Sequence, residues 1–237
     1  MIFQDFNSPS STLDVTRAIV REPPQTLGKN EENTRSGLYR NGGKRALDLL
    51  ICLFLAPLVI PLVGICALMI WLTGQAPFYS QFRIGFNGRV FKMWKLRSMV
   101  SNGDTVLARH LADNAAAKLE WHCMQKLKHD PRVTHFGHFL RRTSLDELPQ
   151  IWNVVWGDMS LVGPRPMMIC QEPLYTGRDY YDMLPGISGN WQVSTRNLSD
   201  FADRAVFDSA YSARLSLRED LMILVKTIGV VLKANGH

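Results

Sequence analysis

The sequence predicts a mainly helical α+β fold, membrane-associated and monotopic, with a re-entrant helix–break–helix hairpin, then a β-hairpin and a globular domain. Three observations carry that expectation. Leu49 to Phe82 contains no charged residue, and its first part, to Leu72, is almost wholly apolar. Pro57 and Pro61 lie inside that run. Basic residues flank it on both sides: Arg35, Arg40, Lys44 and Arg45 before, and Arg83, Arg89, Lys92, Lys95 and Arg97 after.

Residues 1–43 read as a polar tail, Ser- and Pro-containing, with little apolar surface to bury. No apolar stretch near Met1 resembles a signal peptide. The membrane segment is assigned to 44–76. As a straight helix its apolar part would reach about 36 Å, enough to cross a hydrocarbon core of about 30 Å. A buried core helix or a kinked spanning helix would also accommodate such a run. Apolarity on every side favours lipid. Cationic flanks at both ends favour a dip that returns to its starting side, because positive flanks stay cytoplasmic. Pro57 or Pro61 would supply the break, each lacking a backbone donor and crowding the preceding turn.

The remaining chain, 77–237, reads as one domain. Phe78–Phe82 and Arg89–Arg97 flank Asn87-Gly88, a pair that tolerates the positive φ of a tight hairpin. Alternation would place Phe91, Met93, Lys95 and Arg97 on one face. Residues 104–127 predict a helix, a second begins near Ser144–Pro149, and a third covers 212–233, with Leu217, Leu221, Leu224, Val225, Ile228 and Val231 at helical spacing.

Composition narrows the function class. With 46% hydrophobic and 20% charged residues the chain is neither disordered, collagen-like nor polytopic. The net charge of +6 is unevenly spread: residues 83–142 hold twelve basic and four acidic groups, whereas 143–237 carry an acidic excess. An anion is therefore expected at 83–142. Four scattered cysteines form no CxxC or paired spacing, and His135 and His138 have no third ligand nearby, so neither a disulfide framework nor a zinc site is indicated.

Two short strings carry chemistry. In Arg141-Arg142-Thr143-Ser144-Leu145-Asp146-Glu147, Ser144 and Glu147 have the spacing of a helix capping box. Alternatively, an acidic pair beside two arginines can present a nucleophile to a phosphorus whose charge the arginines offset. In Gly163-Pro164-Arg165-Pro166 the prolines hold Arg165 in extended backbone, suited to bidentate phosphate contact, or the string is a turn with an incidental arginine.

These strings follow one another in a distinctive order: the apolar segment after Lys44-Arg45; Arg83-x-Gly85-x-x-Gly88; Phe91-Lys92-Met93-Trp94-Lys95-Leu96-Arg97-Ser98-Met99; Asp130-Pro131-Arg132-Val133-Thr134; Leu140 to Gln150; Gly157 to Pro166; and Pro185-Gly186-Ile187-Ser188-Gly189. Over about residues 44–235 the chain resembles the bacterial sugar transferase family, the monotopic polyprenyl-phosphate glycosyl-1-phosphate transferases that initiate exopolysaccharide or O-antigen assembly.

The resemblance implies a cytoplasmic catalytic domain on the bacterial inner membrane. It also implies transfer of a sugar 1-phosphate from a UDP-sugar to undecaprenyl phosphate, releasing UMP through a phosphosugar–aspartyl intermediate. Asp146 would be the nucleophile, and Glu147 would orient it or hold Mg²⁺ with it. Lys95, Arg141 and Arg165 would cradle phosphates, with Arg83, Arg97 and Arg142 as further substrate-binding candidates. A late acidic residue would contribute, either Asp208 or Asp220. Where relatives carry a glycine after Gln192-Val193, this chain has Ser194-Thr195-Arg196. Partners are then a UDP-sugar, undecaprenyl phosphate and membrane lipid, not nucleic acid, with a homodimer left open. The competing reading is a non-catalytic membrane adaptor whose basic segment binds acidic lipid or nucleic acid.

Overall fold

The computed structural model describes residues 37–124, 127–194, 201 and 203–232, without the side chains of 122–124 and 232. The tail to residue 36 and the Thr195-Arg196 departure lie outside them. After a turn at Tyr39–Gly43, helix α1 (Lys44–Leu72) leads into a hairpin of β1 (Phe78–Ile84) and β2 (Val90–Leu96). Helices α2 (Gly103–Asp113), α3 (Ala115–Met124), α4 (His135–Arg142) and α5 (Gln150–Trp156) follow. The chain closes with β3 (Ser160–Val162), β4 (Gly186–Ser188), α6 (Asn190–Ser194), α7 (Arg204–Arg214) and α8 (Leu217–Leu232).

The hairpin forms as its turn residues dictate. β1 and β2 pair antiparallel from Phe78↔Leu96 to Ile84↔Val90, and Asn87 and Gly88 adopt φ of 54° and 73°. Phe91 and Met93 are buried, whereas Lys95 is only half-buried. A second, parallel pair, Ser160↔Gly186 and Val162↔Ser188, ties the middle of the domain together. Asn153, fully buried on α5, links α5 to the hairpin. Its side-chain oxygen accepts from Trp94 N at 3.0 Å and its amide donates to the Lys92 carbonyl at 2.7 Å, so it pairs with β2 as a strand would.

Three expectations are corrected. Helix α1 is continuous, so Pro57 and Pro61 do not split it into two helices. Proline φ is itself helical, and packing on both sides of the pair outweighs two lost donors: Asp48 and Cys52 are buried before the prolines, and Val63, Cys66 and Ile70 after them. The helix expected over 104–127 divides at Asn114, which is extended and whose side chain accepts from Ala117 N at 3.0 Å, capping α3. The single last helix is two, because the backbone turns at Leu215 and the Ser216 hydroxyl accepts from Glu219 N.

The buried face of α1 joins two of three core clusters. Cys52 packs with Met93, Val154, Leu161 and Ile223, and Val63, Cys66 and Ile70 pack with Leu96 and Leu140. Its other faces leave Leu50, Leu53, Phe54, Leu58, Ile60, Ile65, Trp71 and Leu72 exposed. Tyr39 to Leu72 is, among the described residues, the one stretch long and apolar enough to cross a membrane. Between α1 and α5 lies a carbon-lined cavity of about 400 Å³, bounded by Leu49, Leu53, Val59, Leu148, Pro149 and Trp152.

Two buried carboxylates fix the N-terminal end of α1. Asp48 accepts from the Ser160 hydroxyl at 2.7 Å and Leu161 N at 3.1 Å. Asp220, on α8, accepts from the Tyr39 hydroxyl, Lys44 Nζ and the Tyr211 hydroxyl, each at 2.6 Å. Its side chain is 2% exposed and that of Lys44 14%. Removing one charge of such a pair strands the other. Asp220→Asn is therefore expected to lower unfolding free energy by about 3–5 kcal/mol, measured by denaturant titration of the detergent-solubilised protein; an unchanged midpoint would refute the anchor.

Candidate functional site

The site is built where β2, α4 and the turn before α5 converge. Thr134 caps α4 by accepting from Gly137 N at 2.9 Å, and Gly137 lies so close to the Ser98 backbone that a Cβ would collide with it. Arg141, near the end of α4, donates from Nε to the Ser98 hydroxyl at 2.9 Å. The chain then reverses at Ser144, which adopts left-handed backbone (φ 57°, ψ 18°) and makes no side-chain cap. The capping box is thus not formed. Glu147 instead accepts from Lys95 Nζ at 2.8 Å. A non-glycine residue in this region stores backbone strain, and here it precedes the acidic pair by two residues.

Leu145–Glu147 forms a single 3₁₀ turn that places Asp146 at 8% exposure. Burial pushes the Asp146 carboxyl above the usual range; Lys95 and Arg141 pull it back, and Glu147 pushes the same way as burial. Burial pulls the Arg141 guanidinium down, against the attraction of Asp146 and Asp130. Asp146 and Glu147 border a polar cavity of about 480 Å³ that also meets Lys95, Arg97, Arg141 and Arg165. Arg97 is partly committed elsewhere, donating to the Ala76 and Phe78 carbonyls. Arg142 is exposed and does not line the cavity.

Arg165 lines the same cavity from the Gly-Pro-Arg-Pro string. Gly163 lies against the backbone of Leu184, Pro185 and Gly186, where any Cβ would collide. Gly163 N donates to the Ser188 carbonyl and Gly186 N to that of Pro164, both at 2.8 Å, so the Gly-Pro-Arg-Pro string is bound to β4. Beyond Arg165 lies a second polar group. Arg83 donates to the Gln81 side chain at 2.6 Å and the Pro166 carbonyl at 3.4 Å. Asp208 accepts from the Tyr175 hydroxyl at 2.8 Å. Burial raises its carboxyl to about 6, against the pull of the Tyr175 hydrogen bond and Arg204. The two late acidic candidates are therefore separated: Asp208 faces the arginine side of the site, whereas Asp220 clamps α1. Ser98 and Arg132 lie in strings that carry the family resemblance but have no role assigned there, whereas Arg204 carries no local sequence signal and enters only through folding.

The donor set suits a hard divalent cation. Mg²⁺ takes one or two carboxylates together with water and phosphate oxygens, and Asp146 and Glu147 supply two carboxylates beside a cavity with room for both.

The description "bacterial sugar transferase" belongs to the family whose profile matches residues 39–234. The chain is 50% identical over 195 residues to a UDP-galactose-lipid carrier transferase of Erwinia amylovora, covering 81% of this chain and 41% of that protein. It is 43% identical over 199 residues to the exopolysaccharide production protein ExoY of Sinorhizobium fredii, covering 81% and 87%. It is 43% identical over 195 residues to an undecaprenyl-phosphate galactose phosphotransferase of Salmonella typhimurium, covering 81% and 41%. The chain thus spans about two fifths of the first and third of these and most of the second.

The raised Asp208 carboxyl has a measurable consequence. A carboxyl whose folded value exceeds its ordinary one favours the fold when protonated, and that contribution is lost as pH rises through about 6. Asp208→Asn removes the cost of burying the ionised form. The variant should gain stability relative to the parent above pH 6 and lose that gain below about pH 4, read from melting temperatures across that range; a pH-independent difference would contradict the burial.

Proposed function

The chain belongs to the bacterial sugar transferase family, and we propose that it is a membrane-bound phosphoglycosyl transferase acting on a UDP-sugar and undecaprenyl phosphate. The observation that carries this is the position of Asp146. It is a buried carboxylate at the edge of a cation-lined cavity, and Leu148 and Pro149, immediately after the acidic pair, line the apolar cavity against α1. One side suits phosphates, the other an isoprenoid chain. The relatives named for galactose make UDP-galactose the first donor to assay.

In the proposed reaction a carboxylate oxygen of Asp146 attacks the β-phosphorus of the UDP-sugar. The bond from that phosphorus to the bridging oxygen breaks, and UMP leaves with the bond's electron pair. A phosphate oxygen of undecaprenyl phosphate then attacks the same phosphorus, releasing the Asp146 carboxylate and forming the lipid diphosphosugar. Lys95, Arg141 and Arg165 offset charge on the transferring group, positioning and electrostatics being what phosphoryl transfer chiefly requires. Lys95 also holds Glu147 through their 2.8 Å pair. Bound by Asp146 and Glu147, Mg²⁺ would neutralise diphosphate charge.

The proposal extends to topology. The buried stripe of α1 runs from Asp48 to Ile70 along one globular body, which favours both helix ends remaining at the cytoplasmic face of the inner membrane while the exposed apolar faces enter lipid. Cysteines placed before Lys44 and after Leu72 should both be labelled by membrane-impermeant reagent only in inverted vesicles; labelling of one end from outside would establish a spanning helix.

Asp146→Asn should cut UMP release by at least roughly 10³-fold and abolish the trapped phosphosugar adduct; near-normal turnover would remove Asp146 as nucleophile. The nucleophile must be ionised, and burial raises its pKa. The rate, kcat/KM, should therefore fall on acidification with a midpoint above that of an ordinary aspartate, and a profile flat through that range would contradict the assignment.

A further inference from the structure

Beyond Arg165 the positive charge continues away from the acidic pair. Burial pulls the Arg83 and Arg204 guanidinium groups each down to about 10, and the charge of Arg165 near both of them pulls the same way. The Nε atoms of Arg83 and Arg204 are buried with no hydrogen-bond partner among the described residues. The Arg204 guanidinium lies over the Trp191 and Phe201 rings at 4.4 and 4.6 Å, a placement that holds its plane without neutralising its charge. Among the described residues, Asp208 is the carboxylate whose attraction acts on Arg204 and no carboxylate attraction acts on Arg83, so their charge is only partly compensated there. An anion is the missing component.

The frame around these arginines is rigid. Tyr180, 1% exposed, accepts from Met167 N at 3.0 Å and donates to the Ile84 carbonyl at 2.5 Å, while Ile84 N donates to the Met167 carbonyl at 3.0 Å. That clamp ties the strand carrying Arg83 to the string carrying Arg165. The cluster beneath, Ile84, Met167 and Tyr180 with Ile169, Tyr175 and Phe201, contains no residue of α1, unlike the other two core clusters. The arginine group thus stands on a core cluster to which α1 contributes no residue, and none of its members lines the apolar cavity.

We propose that Arg204 and Arg83, with Arg165 at their mouth, form a subsite for the phosphate of the water-soluble nucleotide, held through leaving-group departure. The naming of the nucleotide rests on the proposed transfer reaction; the anion subsite rests on the arginines. Arg165 is shared between the transferring phosphoryl group and this subsite. Arg83 and Arg204 act on the nucleotide alone. The lipid phosphate approaches from the α1 side and does not need them.

The test uses the full chain in lipid nanodiscs, with UMP binding measured by calorimetry and undecaprenyl phosphate binding measured separately. Arg204→Gln and Arg83→Gln should each weaken UMP roughly 10- to 100-fold and leave lipid-phosphate affinity within about twofold. Exposed Arg109→Gln should change neither. Arg204→Lys keeps the charge without the planar fork and should fall between the parent and Arg204→Gln. Should Arg204→Gln fail to fold, Arg83→Gln and Arg204→Lys carry the test, each checked by its melting temperature. UMP affinity no more affected than in Arg109→Gln would overturn the proposal, as would a loss confined to undecaprenyl phosphate. UMP binding that depends on these arginines in a protein releasing no UMP from a UDP-sugar supports the subsite and refutes the proposed reaction. Turnover with arginine-independent UMP affinity does the reverse.

Discussion

The attachment of α1 along one face to the globular body is the constraint on which the other arrangements depend. An apolar helix of this length left free would settle wherever lipid placed it. Here it is tied to the domain along its buried stripe. The tie is apolar over most of its length, through Cys52, Val63, Cys66 and Ile70, and ionic or hydrogen-bonded at its start, through Asp48 and the Lys44–Asp220 pair. Apolar packing alone is non-directional. The two buried carboxylates, each satisfied by several donors, set the register of the helix against α8 and β3.

From that register the site follows. α5 lies against α1 across the apolar cavity and is pinned to β2 by the buried amide of Asn153. The acidic pair sits on the turn just before α5, so one face of that turn meets the apolar cavity and the other meets Lys95 and Arg141. The two cavities divide the residues by chemistry: a carbon lining beside α1, the acidic pair at the junction, and Lys95, Arg141 and Arg165 around the polar cavity beyond. The proposed reaction, which joins a lipid substrate to a soluble one, needs such a division.

Much of this was legible in the sequence where the controlling interactions are local. Asn87-Gly88 announced the hairpin because positive φ is a property of those two residues. The order of the acidic pair and of Gly-Pro-Arg-Pro carried the family resemblance. Ser144 and Glu147 misled because their spacing is also that of a capping box, whereas Glu147 is claimed by Lys95, 52 positions earlier. Asp208 and Asp220 are the same chemical group in similar surroundings of sequence, and only folding separates one that acts on Arg204 from one that clamps α1. Pro57 and Pro61 pointed to a break because their local cost is plain and the packing that outweighs it comes from distant segments. Arg204 had no signal because its meaning is set by Arg83 and Arg165, on a strand and a loop far from it in the chain.

The Lys44–Asp220 pair also dictates an order of events at the ribosome. The two residues are 176 positions apart, and the acidic partner comes second. At roughly 5–20 residues per second, α1, which ends at Leu72, is complete about 7–30 s before its ionic fastening at Asp220 exists. During that interval the helix has been made with an ammonium group whose partner has yet to be synthesised. The long apolar helix is thus made well before the residue that fastens it, so completion of the fold waits on the last helix.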